Sequence, residues 1–523
     1  MREEEFLMQE EQLWKPSINP WLMIVPVIIS VFMFALDETV SNVALMYIAG
    51  SFSASQNEST WVVTSYLIAS GIVIPTVDFC CKLMGRKNYF ILCISVFTIS
   101  SVLCSLSTSM GMIVLMRFIQ GLGGGSLLPL AQAITLESFP PEKRSQSMAL
   151  FVLTIIFAPT IGPIVGGWIT ENWSWHWIYL INLPIGALCI YMTHRLLEDP
   201  PYAKKQKNVS CDYVGLTFLC IWLVFLQIVL DKGNDADWFG ARWICWMSAI
   251  SCLFGILFFI SQIKGKNPLV DLSVLKDRNF LFGTIAQIVM MAVFLASAAL
   301  LPSMLQVLLG YTSYLSGLSM GSRGLGSIVA MVGYSLFIPL GIISDKKFAI
   351  MGILCIATGG MFFGMINLNI NLETIAIPNA FFGAGMCLGM TTLTSLSFTT
   401  LHYTKITNAS GLQNLLKNIG GAIGTSLSTT LISRGAQKHQ MMMVGNLNDL
   451  NQNFIDRVNA LAHSFLTTDP SQGLVMAKAM LYRQLGQQAR LWAYIDTFRI
   501  FAAACLLVIP FIMLISVPKE KQV

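Results

Sequence analysis

Residues 21–46 read WLMIVPVIISVFMFALDETVSNVALM, and this stretch decides the fold. It is long enough to cross a hydrocarbon core of about 30 Å as a helix. Two adjacent carboxylates, Asp37 and Glu38, interrupt the apolar run at a depth that corresponds to the outer half of a membrane. Acids are costly inside a bilayer, so they usually face a cavity and bind a proton, an ion or a cationic substrate. The stretch therefore predicts a membrane-spanning helix that carries function.

The composition extends this prediction to the whole chain. Hydrophobic residues make up 55% of it and charged residues only 11%, against about 25% charged residues in an average soluble protein. Apolar runs recur at 21–46, 60–81, 89–107, 111–134, 146–169, 176–194, 213–231, 243–262, 280–302, 315–340, 349–368, 374–399, 408–432 and 493–516. We expect an all-α polytopic membrane protein with about fourteen transmembrane helices. The sequence has no GxxxxGK[ST] phosphate loop, which argues against ATP-driven transport.

Basic residues lie in alternate short loops, which predicts the orientation of the chain. These loops contain Lys82, Arg86 and Lys87, then Lys143 and Arg144, then Arg195, Lys204, Lys205 and Lys207, then Lys264, Lys266, Lys276 and Arg278, then Lys346 and Lys347, and finally Lys405. We expect them to face the cytoplasm, together with both termini. The net charge of +5 reflects this topology. No cluster of Lys and Arg resembles a nucleic-acid interface, so we expect no nucleic-acid partner.

A weak internal repeat suggests how the helices are grouped. A basic turn at Gly85, Arg86 and Lys87 follows the second span, and a similar turn at Gly341–Lys347 follows the tenth. If spans seven and eight are an inserted pair, the other twelve form two six-helix bundles, as in other transporters. The predicted organisation is a cytoplasmic tail (1–20), an N-terminal bundle (21–200), a linker with the central helix pair (201–265), C-terminal bundle helices (266–432), an external loop (433–492) and a last helix with its tail (493–523).

The segment 433–492 is polar, and the predicted topology places it outside the membrane. Residues 454–466 and 473–485 within it have apolar residues at three- and four-residue spacing, which predicts amphipathic helices. Such a segment either packs on itself as a cap or offers a docking surface to an external partner.

Asp37 and Glu38 point in different directions, because adjacent side chains on a helix are about 100° apart. They cannot both face the same point, so one of them can reach towards the outer surface. Burial favours the neutral form of a carboxyl group, which makes proton binding feasible near neutral pH. We therefore interpret Asp37 and Glu38 as candidates for proton coupling.

Several further polar residues lie inside apolar spans. Arg117 in the fourth span either extends to the membrane surface or has a partner inside the membrane, since it lies in the same half of the chain as Asp37. Arg323 and Lys417 need an acceptor or water if they are buried, and they suit contact with an anion or a role in a gate. The fifth span contains Pro159, Gly162 and Pro163, which predict a kinked gate helix or close structural packing. The remaining candidates for substrate contact or gating are Asn42, Gln120, Gln306 and Asn414.

These motifs together resemble the major facilitator superfamily, specifically its fourteen-span drug:proton antiporters and, among those, the Emr-type multidrug export subunits of Gram-negative bacteria. The resemblance rests on Leu36–Leu45, Arg117–Gly125, Gly162–Gly167, Trp175–Gly186, Leu301-Pro302 with Gln306, and Asn408–Gly411 with Gly420, Gly421 and Gly424. It implies that Asp37 is the proton-coupling acid and that Arg117 assists proton transfer. It also implies a bacterial inner membrane location, protons as the coupling ion with no other cofactor, and a periplasmic adaptor and an outer-membrane channel as partners.

Three motifs depart from the family pattern. Met46 stands where the first-helix motif usually has proline, and Ala158 where the fifth-helix motif begins with glycine. The loop after the second span has Asp78 and Lys82 where the family has glycine and aspartate, so the charge at this conformational switch is reversed. The second copy, Gly341 to Asp345, keeps the pattern, and Gly85 and Arg86 complete the first loop.

Three functions fit the sequence, and none of them is enzymatic. The leading hypothesis is an exporter that exchanges a proton at Asp37 for an amphipathic toxic compound held between the two bundles. The alternative is a dedicated exporter of an endogenous organic acid, such as a siderophore, a fatty acid or a bile salt. The third is a membrane receptor or a structural subunit, suggested by the segment 433–492.

Overall fold

The computed structural model describes residues 16–200, 205, 212–265, 268–338, 343–402, 405–445, 447–448, 450–465 and 470–516. Lys204, Lys207, Lys266, Gly341 and most of the predicted N-terminal tail lie outside the described residues. The main helices are α1 (Val25–Ser51), α2 (Trp61–Val73), α3 (Val77–Met84), α4 (Arg86–Ser105), α5 (Met110–Gly124), α6 (Leu127–Glu137), α7 (Pro141–Asn172), α8 (Asn182–Leu196), α9 (Tyr213–Lys232), α10 (Arg242–Lys264), α11 (Arg278–Ser303), α12 (Ser313–Phe337), α13 (Asp345–Phe363), α14 (Leu372–Phe398), α15 (Ile406–Val444), α16 (Gln452–Ser464) and α17 (Pro470–Leu506). Short helical segments lie at Pro20–Met23, Gln56–Ser59, Ile74–Thr76, Trp177–Leu180, Trp238–Gly240, Leu272–Lys276, Met304–Leu308 and Ile509–Met513.

The predicted all-helical membrane fold is confirmed. Within the described chain, 12 helical stretches are long and apolar enough to cross a membrane. The predicted spans 315–340 and 408–432 correspond to α12 and α15, which are long helices but do not meet the same hydropathy requirement. Both are rich in Gly and Ser, and they carry Arg323 and Lys417 respectively. The protein is a multi-pass membrane protein, and the number fourteen stays a prediction.

Polar side chains fix the starts of several helices. Asp212 accepts a hydrogen bond from the backbone N–H of Gly215 at 2.8 Å, and Asp277 accepts one from Phe280 at 2.9 Å. Each contact satisfies an N–H group that has no partner inside its helix. These caps set where α9 and α11 begin.

The helices form two groups. In the first group α1 packs on α7 and α8, and α5 packs on α2 and α4. In the second group α14 packs on α11, α12 and α13, and α15 packs on α11 and α17. The pair α9 and α10 lies beside them, with α9 in contact with both α2 and α15. The two groups meet where α7 contacts α12 and α14, and where α6 contacts α15.

The glycine run of α5 packs against neighbouring helices, as expected for small residues in membrane helices. A Cβ atom on Gly123 would lie 2.7 Å from the backbone N of Phe97 and 2.9 Å from the carbonyl oxygen of Cys93. Only a residue without a side chain allows α4 and α5 to approach this closely.

The segment 433–492 is largely helical. Helix α15 has 39 residues and α17 has 37, which correspond to about 58 and 55 Å of helix. Both exceed a hydrocarbon core of about 30 Å, so they extend beyond the membrane as a protruding pair. Helix α16 packs on α17. The two predicted amphipathic stretches correspond to α16 and to the first half of α17.

Candidate functional site

Asp37 and Arg117 form a buried ion pair in the first helix group. Nη1 of Arg117 donates to Oδ2 of Asp37 at 2.6 Å, and the side chains of the two residues are 0% and 1% exposed. The pair joins α1 to α5. Arg117 therefore does not extend to the membrane surface, and its partner inside the membrane is Asp37.

Two amides complete the hydrogen bonding of the Asp37 carboxylate. Its Oδ1 atom accepts from Nδ2 of Asn182 at 2.6 Å and from Nε2 of Gln120 at 3.0 Å. Oε1 of Gln120 also accepts from Nη1 of Arg117 at 2.8 Å. Both oxygens of Asp37 are thus engaged. The carboxylate of α1 is held by side chains of α5 and α8. Protonation of Asp37 would therefore weaken contacts that join these three helices.

The guanidinium of Arg117 lies among aromatic rings. It is 4.2 Å from the ring centroid of Tyr66 and 5.7 Å from that of Tyr179, and its Nε atom donates to the carbonyl oxygen of Val62 at 3.2 Å. Among the described residues, Nη2 of Arg117 and the hydroxyl group of Tyr66 have no hydrogen-bond partner. Hydrogen-bond donors without a partner therefore lie beside the ion pair.

Glu38 and Asn42 lie on another face of α1 and line a central cavity of about 320 Å³. Lys417 and Asn414 of α15 line the same cavity, so both helix groups contribute to it. Most of its wall is apolar. Asp37 does not line this cavity, although it is adjacent to Glu38 in the chain.

A second cavity of about 730 Å³ lies next to the first. Thr39, Asn42, Ala298 and Ala299 line both cavities. The predicted residues Pro159, Pro163 and Gln306 line the second cavity, as does Glu171 near the last residue of α7. Gly162 packs directly on Thr39 instead. Lys143 lies in the first turn of α7, at the end of the bundle that carries the basic loops, which we call the basic end. Glu171 lies at the other end of α7, so the second cavity extends away from the basic end.

Hydrogen bonds join the two helix groups towards the basic end. Gln132 of α6 accepts from Nδ2 of Asn414 at 2.6 Å and donates to Oε1 of Gln413 at 2.8 Å. The hydroxyl of Ser410 donates to the carbonyl oxygen of Pro129 at 2.8 Å. All these side chains are buried. They join the two groups between the central cavity and the basic end, and we call them the gate.

Arg86 also joins the two helix groups near the gate. Its Nη1 and Nη2 atoms donate to Glu137 at 2.7 and 3.2 Å, and Nη2 also donates to Thr407 of α15 at 3.0 Å. Gly85, immediately before it, has φ +84°, a conformation that glycine adopts at little cost. This turn directs Arg86 into the interface between the groups.

The remaining switch residues are also placed. Lys82 pairs with Asp78 at 2.6 Å within α3, so the reversed charges of this loop neutralise each other locally. Asp345 accepts from the hydroxyl of Tyr334 at 2.9 Å and lies 3.5 Å from the hydroxyl of Ser145 in the first group. Gly341 lies outside the described residues.

Arg323 lies behind the cavities and lines neither of them. It is buried, and its Nε atom donates to Oδ1 of Asn379 at 2.9 Å. Its guanidinium is 5.7 Å from the ring centroids of both Phe294 and Phe382.

Sequence reasoning missed several members of the site. Asn182, Gln132, Gln413 and Glu137 were not singled out, although the first of them lies in one of the family motifs. Amides are common in polar helix faces, so residue type gave no signal. Glu137 could have been identified from the sequence, because it is an acid at the end of an apolar run.

Known proteins resemble this chain in sequence and in fold. The family model described as Major Facilitator Superfamily matches residues 27–230 and 235–425. The probable multidrug resistance protein EmrY of Escherichia coli K12 is 33% identical over 83% of this chain and 84% of its own. The fatty acid resistance protein FarB of Neisseria gonorrhoeae is 32% identical over 79% of this chain and 80% of its own. The crystal structure of the human organic anion transporter MFSD10 superposes with a TM-score of 0.60 at 13% identity, covering 95% of this chain and 100% of that one, which supports the fold alone.

Proposed function

The chain belongs to the major facilitator superfamily, whose members are transporters, and on this premise we propose that it is a proton-coupled exporter of amphipathic toxic compounds. The observation that carries the proposal is the ion pair between Asp37 and Arg117, buried in the first helix group. A charged carboxylate inside a membrane is costly, and such residues usually have a functional role. Its position next to the wall of the central cavity links its charge to the substrate site.

In the proposed cycle, Asp37 binds a proton while the cavities face away from the basic end. The neutral carboxyl group then holds Arg117 less strongly, and the packing of α1, α5 and α8 changes. The gate of Gln132, Asn414 and Gln413 opens as the opposite side closes. Asp37 releases its proton to the basic end, and a substrate enters there.

The cavity wall supports an amphipathic substrate. Met291, Met386, Met390 and Phe294 line the central cavity, and methionine side chains adapt to varied apolar shapes. The volume of about 320 Å³ falls at the lower end of the usual range for small-molecule sites. The name of the EmrY relative, a multidrug resistance protein, is consistent with this substrate class.

The alternative is export of an endogenous organic acid. Lys417 faces the central cavity, and an ammonium group favours an anion. The FarB relative is named for fatty acid resistance. Competition between lipophilic cations and organic acids separates the two functions, because a dedicated acid exporter shows no inhibition by cationic dyes.

We further propose a location in the bacterial inner membrane, with the basic end and both termini in the cytoplasm. The protruding helices α15 and α17, with α16, then lie in the periplasm. They are the surface that we assign to a periplasmic adaptor, through which the exporter joins an outer-membrane channel. The residue boundaries predicted for the two bundles are part of this proposal.

The test is transport by the purified protein in proteoliposomes with an acidic interior. We expect uptake of a lipophilic cation that collapses when the pH gradient is dissipated. Asp37→Asn should reduce uptake to that of protein-free vesicles, whereas Asp456→Asn, an exposed carboxylate of α16, should behave like the wild type. Gradient-driven uptake that persists unchanged in Asp37→Asn contradicts the proposal.

A further inference from the structure

Two charged side chains face the central cavity from different helix groups. Glu38 projects from α1 and Lys417 from α15. The other described lining residues are apolar or uncharged polar. The cavity therefore has one anionic and one cationic position and no further charge.

No ion pair joins Glu38 or Lys417 to another described side chain. The other buried acids behave differently, because Asp37 pairs with Arg117 and Glu137 pairs with Arg86. Both oxygens of Asp37 are occupied, so Glu38 is the carboxylate that remains available on α1.

An unpaired charge at membrane depth is costly, and the cost falls when an opposite charge binds to it. A singly charged cargo would compensate one of the two groups and leave the other unpaired. A cargo with both charges compensates both. The two groups lie on different walls, so the charges of such a cargo must be separated by part of its body.

The uncharged polar residues support an oriented cargo. Asn42 lies one turn after Glu38 on α1, and Asn418 follows Lys417 on α15; both line the cavity. Each charge thus has an amide close to it in the chain, while Phe294, Met386 and Met390 provide apolar surface. A few polar groups in an apolar cavity fix the orientation of a ligand.

From this arrangement we infer that the preferred substrates are zwitterionic amphiphiles, with an ammonium group bound by Glu38 and a carboxylate bound by Lys417. The inference rests on the proposed export function and specifies its substrate class. It assigns proton coupling to Asp37 and substrate recognition to Glu38.

The test measures binding to the full chain in lipid nanodiscs, with three probes that differ in charge. These are norfloxacin as a zwitterion, ethidium as a permanent cation and laurate as an anion. We expect Glu38→Gln to weaken norfloxacin and ethidium binding about tenfold, and Lys417→Gln to weaken norfloxacin and laurate binding by a similar factor, as for the loss of about 1.4 kcal/mol. Only norfloxacin should respond to both substitutions.

Matched controls use exposed residues of the same charge. Lys438→Gln lies on α15 and Glu58→Gln in the segment Gln56–Ser59, and both should leave all three affinities unchanged. The probe that each cavity variant still binds shows that it is folded. The inference is overturned if either cavity variant weakens all three probes equally or leaves all three affinities unchanged. Gradient-driven uptake by the wild type, measured in parallel, distinguishes this failure from failure of the export function.

Discussion

Asp37 and Glu38 are neighbours in the chain, but their carboxylates lie in different surroundings. Asp37 accepts hydrogen bonds at 2.6 Å from both Arg117 and Asn182 inside the first helix group. Glu38 is partly exposed and lines the central cavity. Helix α1 therefore carries the proposed proton site on one face and the proposed substrate site on the next. A change in charge at Asp37 would shift α1, and with it the cavity wall at Glu38.

The first prediction concerns the stability of the ion pair. Arg117→Met leaves Asp37 with a buried charge and no cation beside it, which should cost about 3–5 kcal/mol of unfolding free energy. The double variant with Asp37→Asn removes both charges and should be more stable than Arg117→Met alone. Thermal unfolding of the purified variants in detergent measures this difference. If the two substitutions destabilise additively, the pair does not contribute in this way.

The second prediction concerns the contact between α4 and α5. Gly123→Ala places a Cβ atom 2.7 Å from the backbone N of Phe97, and overpacking of this kind costs about 1–3 kcal/mol. We expect a lower unfolding temperature. Gly111→Ala, at a position where nothing lies within 4 Å of the new Cβ atom, is the control and should leave that temperature unchanged. Equal effects of the two substitutions would contradict the packing argument.

The sequence singled out Asp37 and Arg117 as candidates because charges in apolar helices are rare and need a partner. It did not predict that Gln132 and Gln413 meet, since they are 281 positions apart and amides at such positions carry no distinctive pattern. The sequence did predict α12 and α15 as spans, at 315–340 and 408–432, although their hydropathy is lower than that of the other spans. Helices α12 and α15 are polar because several of their residues face the protein interior, and hydropathy alone cannot separate such helices from loops.

The third prediction concerns the gate. Gln132→Leu removes the hydrogen bonds to Asn414 and Gln413 that join the two helix groups. We expect a shift towards an arrangement that is open at the basic end. Spin labels at positions 82 and 405, both exposed at that end, should report a longer distance in the variant by double electron–electron resonance.

The control for this measurement is Ser335→Ala, whose hydroxyl is exposed and contacts only its own helix. It should give the wild-type distance distribution. An unchanged distribution in Gln132→Leu would show that these amides do not hold the gate closed.

The fourth prediction concerns the protruding helices. Val458 of α16 is 4% exposed and, with Phe454, Leu474 and Val475, lines a groove between α16 and α17. Val458→Asp places a charge in this apolar contact and should detach α16 from α17. If this surface binds the adaptor, the variant should lose drug resistance in cells but keep gradient-driven uptake in proteoliposomes, where no adaptor is present. Asp456→Asn, on the exposed side of α16, should retain both activities. Loss of uptake in proteoliposomes would instead show that α16 supports the transport cycle itself.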